Sequence, residues 1–276
     1  MPSHGEESST VISSTVPETG FRIYGEFVYY CSDHIKSYHL HHQRHQEDLP
    51  FWQALAQVYG APTLELGCGT GRVLLPFLRA GINGFGVDHD LEMLNCLRNR
   101  AAADHLSPNV ILADFTHLNL RAKFKVVLLP CNTYSTLDFN QRQALLNNVR
   151  HNLAPEGVFA ISVLNPVALL ELSEYGHPQI EETFPWPDSD VMIQVSSSWT
   201  RTSDLFTLTW HYDLLAPDGR SKRYDRSTTH YIETSNAILA EIESAGYSIK
   251  ELYGDFDRSN FSLQAPNLIM VLKHKQ

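Results

Sequence analysis

The sequence predicts an α/β fold built on a doubly wound, mostly parallel sheet. Between residues 62 and 164 of the 276-residue chain, short apolar segments alternate with segments of helical period. A turn with three glycines, residues 67–71, follows the first apolar segment directly. Strands that alternate with helices form parallel sheets, because each helix carries the chain back to the same edge of the sheet.

Five strands of this sheet can be located, each bounded by turn residues or ending on an acid. They occupy residues 62–66, 84–88, 109–113, 125–130 and 158–164. Helical spacing of apolar residues marks the segments between them. These stripes are Leu74, Leu75, Phe77 and Leu78, then Leu91, Leu94 and Leu97, then Leu145, Leu146, Val149 and Leu153.

The pattern changes beyond this core. From residue 191 to 232 apolar residues recur with period two around a turn at 217–219, which predicts an antiparallel insertion. Helical period then returns near Ile238, and two short strands close the chain near 249–253 and 268–272. We therefore expect four regions. They are a disordered start at 1–20, an N-terminal helical arm at 21–60, a core at 61–175 and 235–276, and a β insertion at 176–234; the family resemblance described below implies that the arm and the insertion act as lids, the insertion over the substrate.

Composition excludes several function classes. The formal charge of -10 should repel a phosphate backbone, which argues against nucleic acid as a partner. No apolar run approaches the roughly 18 residues that cross a bilayer. Cys31, Cys68, Cys96 and Cys131 include no closely spaced pair and are expected to be reduced thiols. The first twenty residues lack the basic start of a signal peptide, so we expect a cytoplasmic protein.

The glycine turn indicates a nucleotide-like ligand. Three glycines in five residues let the backbone approach a ligand closely, and a helix behind the turn would direct N–H groups at it. A dinucleotide fingerprint would need glycine at position 72, which is Arg72, and no Gly-Lys-Ser/Thr sequence is present to hold a triphosphate. This disfavours NAD, FAD and nucleoside triphosphates.

The segment Leu-Glu-Leu-Gly-Cys-Gly-Thr-Gly-Arg, residues 64–72, resembles the first motif of class I S-adenosylmethionine-dependent methyltransferases. Residues 86–88 with Met93 resemble the second-strand segment of that family, and residues 113–115 its third. The resemblance implies a Rossmann-like methyltransferase fold over roughly residues 50–276. Such a fold has a seven-stranded sheet with a final antiparallel strand, and its cofactor is S-adenosylmethionine.

The resemblance also implies a set of cofactor-binding residues. Asp88, at a strand end, is expected to hold the ribose hydroxyls, and Asp114 to accept from the adenine amino group beside Phe115. Glu65 is expected to orient the loop or meet the amino group of the methionine moiety. The full set is Glu65, Gly67, Cys68, Gly69, Gly71, Asp88, His89, Met93, Asp114, Phe115 and Asn132.

The methyl acceptor is less well defined by the sequence. The Pro-Cys-Asn-Thr-Tyr segment at 130–134 lacks the motif of nucleobase amino-methyltransferases, whereas the insertion resembles that of glycine and aminosugar N-methyltransferases. The acceptor is therefore expected to be a small-molecule metabolite, methylated on nitrogen or on oxygen. An oxygen acceptor needs a general base, and Tyr134, His211 and His230 are the candidates.

Alternatives remain open at this point. Thr136 stands where aminosugar enzymes carry a histidine, so an identical substrate is not implied. A non-catalytic binding or partner subunit with the same fold is the alternative function, and it predicts a filled acceptor pocket. Five arm histidines include His41 and His45 at metal-ligand spacing, but with no obvious carboxylate nearby we expect a solvated helix face and no metal site. The oligomeric state is left open.

Overall fold

The computed structural model describes residues 20–23, 26–118 and 120–275. The strands are β1 (Gly20–Ile23), β2 (Glu26–Tyr29), β3 (Thr63–Leu66), β4 (Gly84–Asp88), β5 (Asn109–Leu112), β6 (Phe124–Leu129), β7 (Leu153–Leu164), β8 (Tyr175–Pro185), β9 (Met192–Arg201), β10 (Leu205–Leu215), β11 (Ser221–Tyr231), β12 (Tyr247–Tyr253) and β13 (Asn267–His274). The helices are α1 (Asp33–His42), α2 (Leu49–Tyr59), α3 (Leu74–Arg79), α4 (Leu91–Ala103), α5 (Phe139–Asn152), α6 (Pro166–Leu170) and α7 (Ser235–Ser244). Single 3-10 turns follow β5 (Phe115–His117) and β6 (Thr133–Thr136).

Seven strands form the main sheet in the order β12-β13-β7-β6-β3-β4-β5. The five strands β7, β6, β3, β4 and β5 run parallel to one another. Strand β13 is antiparallel to both β7 and β12. The chain order reverses direction across the sheet between β3 and β6, so the carboxyl ends of these two strands flank a crevice. The predicted fold class is confirmed, including the closing antiparallel strand.

Alternate residues of the central strand β6 face two different helical layers. Val127 and Leu129 pack with Leu145 and Ile242 on the side of α5 and α7. Val126 and Leu128 pack with residues of α2 and α3 on the opposite side, among them the fully buried Trp52. Burial on both faces explains why these strands read as continuous apolar runs.

The insertion is a separate antiparallel sheet in the order β11-β10-β9-β8. The sequence indicated three of its strands and missed β8. That strand contains Pro178 and has Phe184 as its one fully buried residue, so it shows no period-two pattern. An edge strand tolerates proline and exposure because one side of its backbone is unpaired.

The N-terminal region differs from the predicted helical arm in two ways. It begins with the hairpin β1–β2 before α1, and the predicted disordered start lies outside the described residues except for Gly20. A disulfide joins Cys31 to Cys96 in α4, so the expectation of reduced thiols is wrong for this pair. Cys68 and Cys131 are free thiols.

Helix α1 is clamped between the core and the insertion. Ile35 packs on Met93 and Cys96 of α4, while Leu40 packs on Val195 and Tyr212 of the insertion. The expectation of a solvated histidine face is wrong, because His39 and His41 are buried in these contacts. Burial here depends on residues far away in sequence, which helical periodicity does not reveal.

Candidate active site

The turn after β3 needs glycine at each of its three glycine positions. Gly67, Gly69 and Gly71 all have positive φ, at 69°, 50° and 80°. A Cβ on Gly71 would also lie 2.9 Å from Cγ atoms of both Leu75 and Leu97, so that residue is the closest contact between the turn and the helices beneath it.

The amides of this turn are used by the neighbouring strand rather than offered to a ligand. The N–H groups of Gly67 and Cys68 both donate to the carbonyl oxygen of Val87, at 2.8 and 3.0 Å. The amide of Gly69 donates to Oδ2 of Asp88 at 2.7 Å. These three amides are therefore already paired within the protein. At its three glycine positions the turn offers a ligand backbone without side chains.

Asp88 lies at the carboxyl end of β4 and is buried. Besides the bond from Gly69, its Oδ1 accepts from the amide of Asp90 at 2.9 Å. Each carboxylate oxygen thus has one backbone donor, and each retains lone-pair capacity for a further donor. A fixed carboxylate with two remaining acceptor sites can accept hydrogen bonds from a pair of adjacent hydroxyl groups.

Glu65 on β3 is a buried acid with an unsatisfied atom. Its Oε2 has no hydrogen-bond partner anywhere in the part of the chain that the structure describes. Burial raises the pKa of Glu65 well above its ordinary value, against an opposing effect of Arg72. An unsatisfied buried oxygen is costly, so a donor supplied by a ligand would offset that cost.

In the segment after β5, the ring of Phe115 is buried and the side chain of Asp114 is exposed. Phe115 is buried, and its Cε1 lies 3.8 Å from the position that a Cβ on Gly67 would occupy. Asp114 caps the 3-10 turn: its Oδ1 accepts from the amide and the hydroxyl of Thr116, and its Oδ2 lies 3.1 Å from His117 Nδ1. These hydrogen bonds lower the pKa of Asp114 even though burial opposes the shift.

The turn after β6 has a strained start. Cys131 and Asn132 both have φ of 60°, the left-handed region that few residues other than glycine adopt. This conformation places Thr133 beside the glycine turn, with its Cγ2 3.6 Å from the position of a Cβ on Gly67. Strain of this kind persists where the surrounding structure enforces it, commonly at functional sites.

His230 of β11 reaches this same turn. Its Nδ1 lies 2.9 Å from the hydroxyl oxygen of Ser135, and that hydroxyl also donates to the carbonyl of Asn132 at 2.8 Å. A hydroxyl has one proton, so both bonds form only when Nδ1 carries a hydrogen and Nε2 does not. Burial lowers the pKa of His230, which keeps the ring neutral.

The other two catalytic candidates have different surroundings. Tyr134 is fully buried, its hydroxyl donates to Glu241 at 3.2 Å, and its pKa is raised, mainly by burial. His211 bonds Ser198 and Asp225 on the face of β10 opposite to Tyr212. A catalytic role for either residue stays a prediction.

His89 and Met93, two further residues predicted to bind the cofactor, differ in exposure. His89 is largely exposed, and its Nδ1 is 3.9 Å from Oδ1 of Asp88. Met93 is buried with Ile35 and Cys96, between α4 and α1. Contact of either residue with the cofactor also stays a prediction.

One residue of α1 and one of α4 meet the glycine turn, and the sequence did not indicate either as part of the site. His39 Nδ1 lies 3.2 Å from the hydroxyl of Thr70 in the glycine turn, and Arg100 donates to the carbonyl of Thr70 at 2.5 Å. Burial lowers the pKa of His39 to about 3, with a further contribution from Arg100. Only the fold brings these residues together, and no local pattern marks them.

A cavity of about 230 Å³ lies at the carboxyl ends of β6 and β7. Arg72 fixes one wall through two hydrogen bonds to Asp48, at 2.5 and 2.7 Å, and a third to Cys131 Sγ at 2.9 Å. The lining residues are His42, His45, Glu47, Asp48, Arg72, Cys131, Asn132, Ser162, Phe256 and Asn267. The predicted residue Asn132 therefore lines this cavity, and the next residue, Thr133, lies beside Gly67 of the glycine turn.

Residues 63–157, which contain the glycine turn, Asp88 and the turn after β6, match the family model described as a methyltransferase domain. The chain therefore contains a class I S-adenosylmethionine-dependent methyltransferase domain. Among curated proteins it is similar to the cypemycin N-terminal methyltransferase of a Streptomyces species. The two are 22% identical over 221 residues, which cover 78% of this chain and 84% of the relative.

Solved structures share the fold of this methyltransferase. An S-adenosylmethionine-dependent methyltransferase from Clostridium acetobutylicum superposes with a TM-score of 0.75 at 16% identity, covering 87% of this chain and 98% of the other. CcbJ from Streptomyces caelestis gives 0.65 at 23%, covering 84% and 90%. The amino pentose methyltransferase CalS10 from Micromonospora echinaspora gives 0.67 at 16%, covering 91% and 99%.

The residues of this methyltransferase fit its cofactor. The unsatisfied Oε2 of Glu65 is an acceptor for an ammonium group, and the two open acceptor sites of Asp88 match a ribose diol. The glycine turn between them carries no side chain that would occupy the space.

Within the described residues, no helix is both long and apolar enough to span a membrane.

Proposed function

We propose that this methyltransferase methylates the nitrogen of a small-molecule amine. The printed descriptions of its relatives support an amine, since they include an N-terminal methyltransferase, an amino pentose methyltransferase and a sugar N-methyltransferase. These descriptions carry the choice of nitrogen over oxygen. The contact between His230 and Ser135 supplies the base that an amine arriving as an ammonium ion needs, and the same base would serve a hydroxyl acceptor.

When bound, S-adenosylmethionine supplies a methyl group on a positively charged sulfur. In the proposed site Asp88 binds the ribose hydroxyls, and Glu65 accepts from the amino group of the methionine moiety. Phe115 and Thr133 both lie close to Gly67, so they limit the position of a ligand at the glycine turn. Methyl transfer depends strongly on such alignment, because well-oriented groups react with effective molarities of about 10⁵ M or more.

His230 acts on the acceptor. An amine arrives largely as an ammonium ion and has to lose a proton before its lone pair can attack. Nδ1 of His230 is held by Ser135, which leaves Nε2 to take that proton. Ser135 is the positioning residue, because its hydroxyl fixes the tautomer without meeting the substrate.

The proposed acceptor site extends from the cavity beside Asn132 toward the turn at 133–136, where Ser135 holds His230, because His230 itself is not among the residues that line the cavity. The cavity volume of about 230 Å³ suits a small molecule, and the carboxylate of Glu47 on its exposed wall favours a cation. The charge of Asp48 is already matched by Arg72. The alternative of a non-catalytic subunit predicted a filled pocket, and this opening beside the site argues against it.

The decisive test compares His230→Gln with His211→Gln, since both histidines lie in the insertion but on opposite faces. We expect His230→Gln to lower kcat by about 10²- to 10⁴-fold while the affinity for S-adenosylhomocysteine stays unchanged. His211→Gln should keep full activity. Equal activity of the two variants would overturn the role of His230.

Nitrogen and oxygen transfer are separated with acceptor pairs that differ only in an amine or a hydroxyl at one carbon. Mass spectrometry of the products should show methylation of the amine alone. Methylation of the hydroxyl compound alone would replace the proposal with O-methylation. We further propose that the enzyme acts in the cytoplasm and that nucleic acid is not its substrate, as its charge of -10 suggests.

A further inference from the structure

Two histidines at the end of α1 meet a carboxylate from the insertion. His41 lies in the last turn of α1 and His45 follows the end of the helix, and the centroids of their two rings are 5.3 Å apart. Glu182 of β8 lies opposite them, and one ligand atom from each of the three residues lies within 4.8 Å of the other two. Two imidazoles and a carboxylate form a donor set that is common for zinc.

His41 is prepared as a neutral ligand. Its Nδ1 lies 3.2 Å from the hydroxyl of Tyr212, so Nε2 is the ring nitrogen left to bind a metal. Burial is the main cause that lowers the pKa of His41 to about 4. A neutral ring whose second nitrogen is held by a hydrogen bond is the usual state of a metal-bound histidine.

Glu182 and His45 are already in contact. Nε2 of His45 lies 2.8 Å from Oε1 of Glu182, and the other carboxylate oxygen accepts from Arg44 at 2.6 Å. Arg44 thus orients the carboxylate and leaves Oε1 on the side of the histidines. It also offsets the negative charge, which disfavours Ca²⁺ and Mg²⁺ because these ions depend on several anionic oxygens.

Small side-chain rotations would complete the site. Ligand atoms of a tetrahedral zinc ion lie about 3.3 Å from one another, given zinc–ligand distances of roughly 2.0 to 2.1 Å. His45 can make this adjustment, since 54% of its side-chain surface is exposed and it follows the last turn of α1.

We propose that His41, His45 and Glu182 bind a zinc ion that fastens α1 to β8. The ion would replace the contact between His45 and Glu182, and water would complete its coordination. His45 also lines the cavity beside Asn132, so the ion would lie at the edge of that cavity and hold its α1 wall against the insertion. The zinc proposal does not depend on which acceptor is methylated or on His230 being the base.

The test is calorimetric titration of the full-length, chelator-treated protein with ZnCl₂, with Co²⁺ absorption as a second readout. One equivalent should bind. His45→Ala and Glu182→Gln should each weaken the affinity for zinc by at least about tenfold, since even losing a partner outside the ligand shell costs roughly 10- to 100-fold. The Co²⁺ spectrum of the wild type should show tetrahedral coordination.

Two matched variants on β8 serve as controls. Glu181→Gln removes the neighbouring carboxylate, which is bonded to Ser197, and His177→Ala removes an exposed histidine of the same strand. Both should bind zinc like the wild type. Absence of saturable binding, or binding that survives both His45→Ala and Glu182→Gln, would overturn the proposal. Either result leaves the methyl-transfer assays unaffected, so the two proposals fail separately.

Discussion

The amide of Gly69 donates a 2.7 Å hydrogen bond to Oδ2 of Asp88, which joins the glycine turn after β3 to the acid at the end of β4. The turn and the carboxylate therefore form one structural unit. Asp88 both braces the turn and, in the proposed site, binds the ribose.

Asp88→Ala should weaken binding of S-adenosylhomocysteine by about 3 kcal/mol, roughly a hundredfold in Kd, because two hydrogen bonds to a charged acceptor are lost. Calorimetry measures the change. Asp88→Asn retains one acceptor oxygen and should show an intermediate loss. Asp104→Ala, which removes an exposed acid paired with Arg79, is the control and should bind normally. Unchanged affinity of Asp88→Ala would contradict the assignment.

The predicted contact between Asp114 and the adenine amino group can be tested with a modified ligand. S-inosylhomocysteine carries an oxygen in place of that amino group. If Asp114 accepts from it, the wild type should prefer the adenosyl compound and Asp114→Ala should bind both compounds equally. A preference that persists in Asp114→Ala would reduce this acid to its observed role as the cap of the turn that follows.

Tyr134→Phe separates a structural from a catalytic role for this residue. The hydroxyl donates to the carboxylate of Glu241, which also binds the buried Arg142. Loss of a hydrogen bond to a charged partner should lower the free energy of unfolding by about 1.5 to 3 kcal/mol. We expect kcat to stay unchanged. A large fall in kcat without loss of stability would restore Tyr134 as a catalytic candidate.

Stability should fall in acid because His39 is buried in its neutral form. Its pKa is about 3 in the folded protein, below the ordinary value of 6.5. Below pH 6.5 the unfolded chain therefore takes up a proton that the folded chain does not, and each such group costs about 1.4 kcal/mol per pH unit until the folded pKa is reached.

Urea unfolding at a series of pH values between 7 and 5 measures this effect. His39→Asn should reduce the slope of the unfolding free energy against pH by one proton. Thr70→Val removes the hydrogen-bond partner but keeps the imidazole, so its slope should match that of the wild type. An unaltered slope in His39→Asn would show that the imidazole is accessible to protons in the folded state.

Patterns in consecutive residues were enough to predict the sheet and the cofactor motif. Buried parallel strands give continuous apolar runs in the sequence. A backbone turn with positive φ favours glycine at positions 67, 69 and 71. Both features can therefore be recognised from consecutive residues. Asp88 could be predicted in the same way, because it directly follows the apolar residues of a strand that lies next to the turn. Strand β8 was missed because an exposed edge strand has no such pattern.

The surroundings of the histidines, in contrast, depend on contacts between segments that are far apart in the chain. His211 and His230 have similar sequence surroundings, yet one bonds Ser198 and Asp225 on the outer face of the insertion and the other bonds Ser135 beside the site. His39 is buried against the glycine turn, although helical spacing suggested exposure. Contacts of this kind join segments distant in sequence, and the packing of α1 and the insertion onto the core determines them rather than any local periodicity.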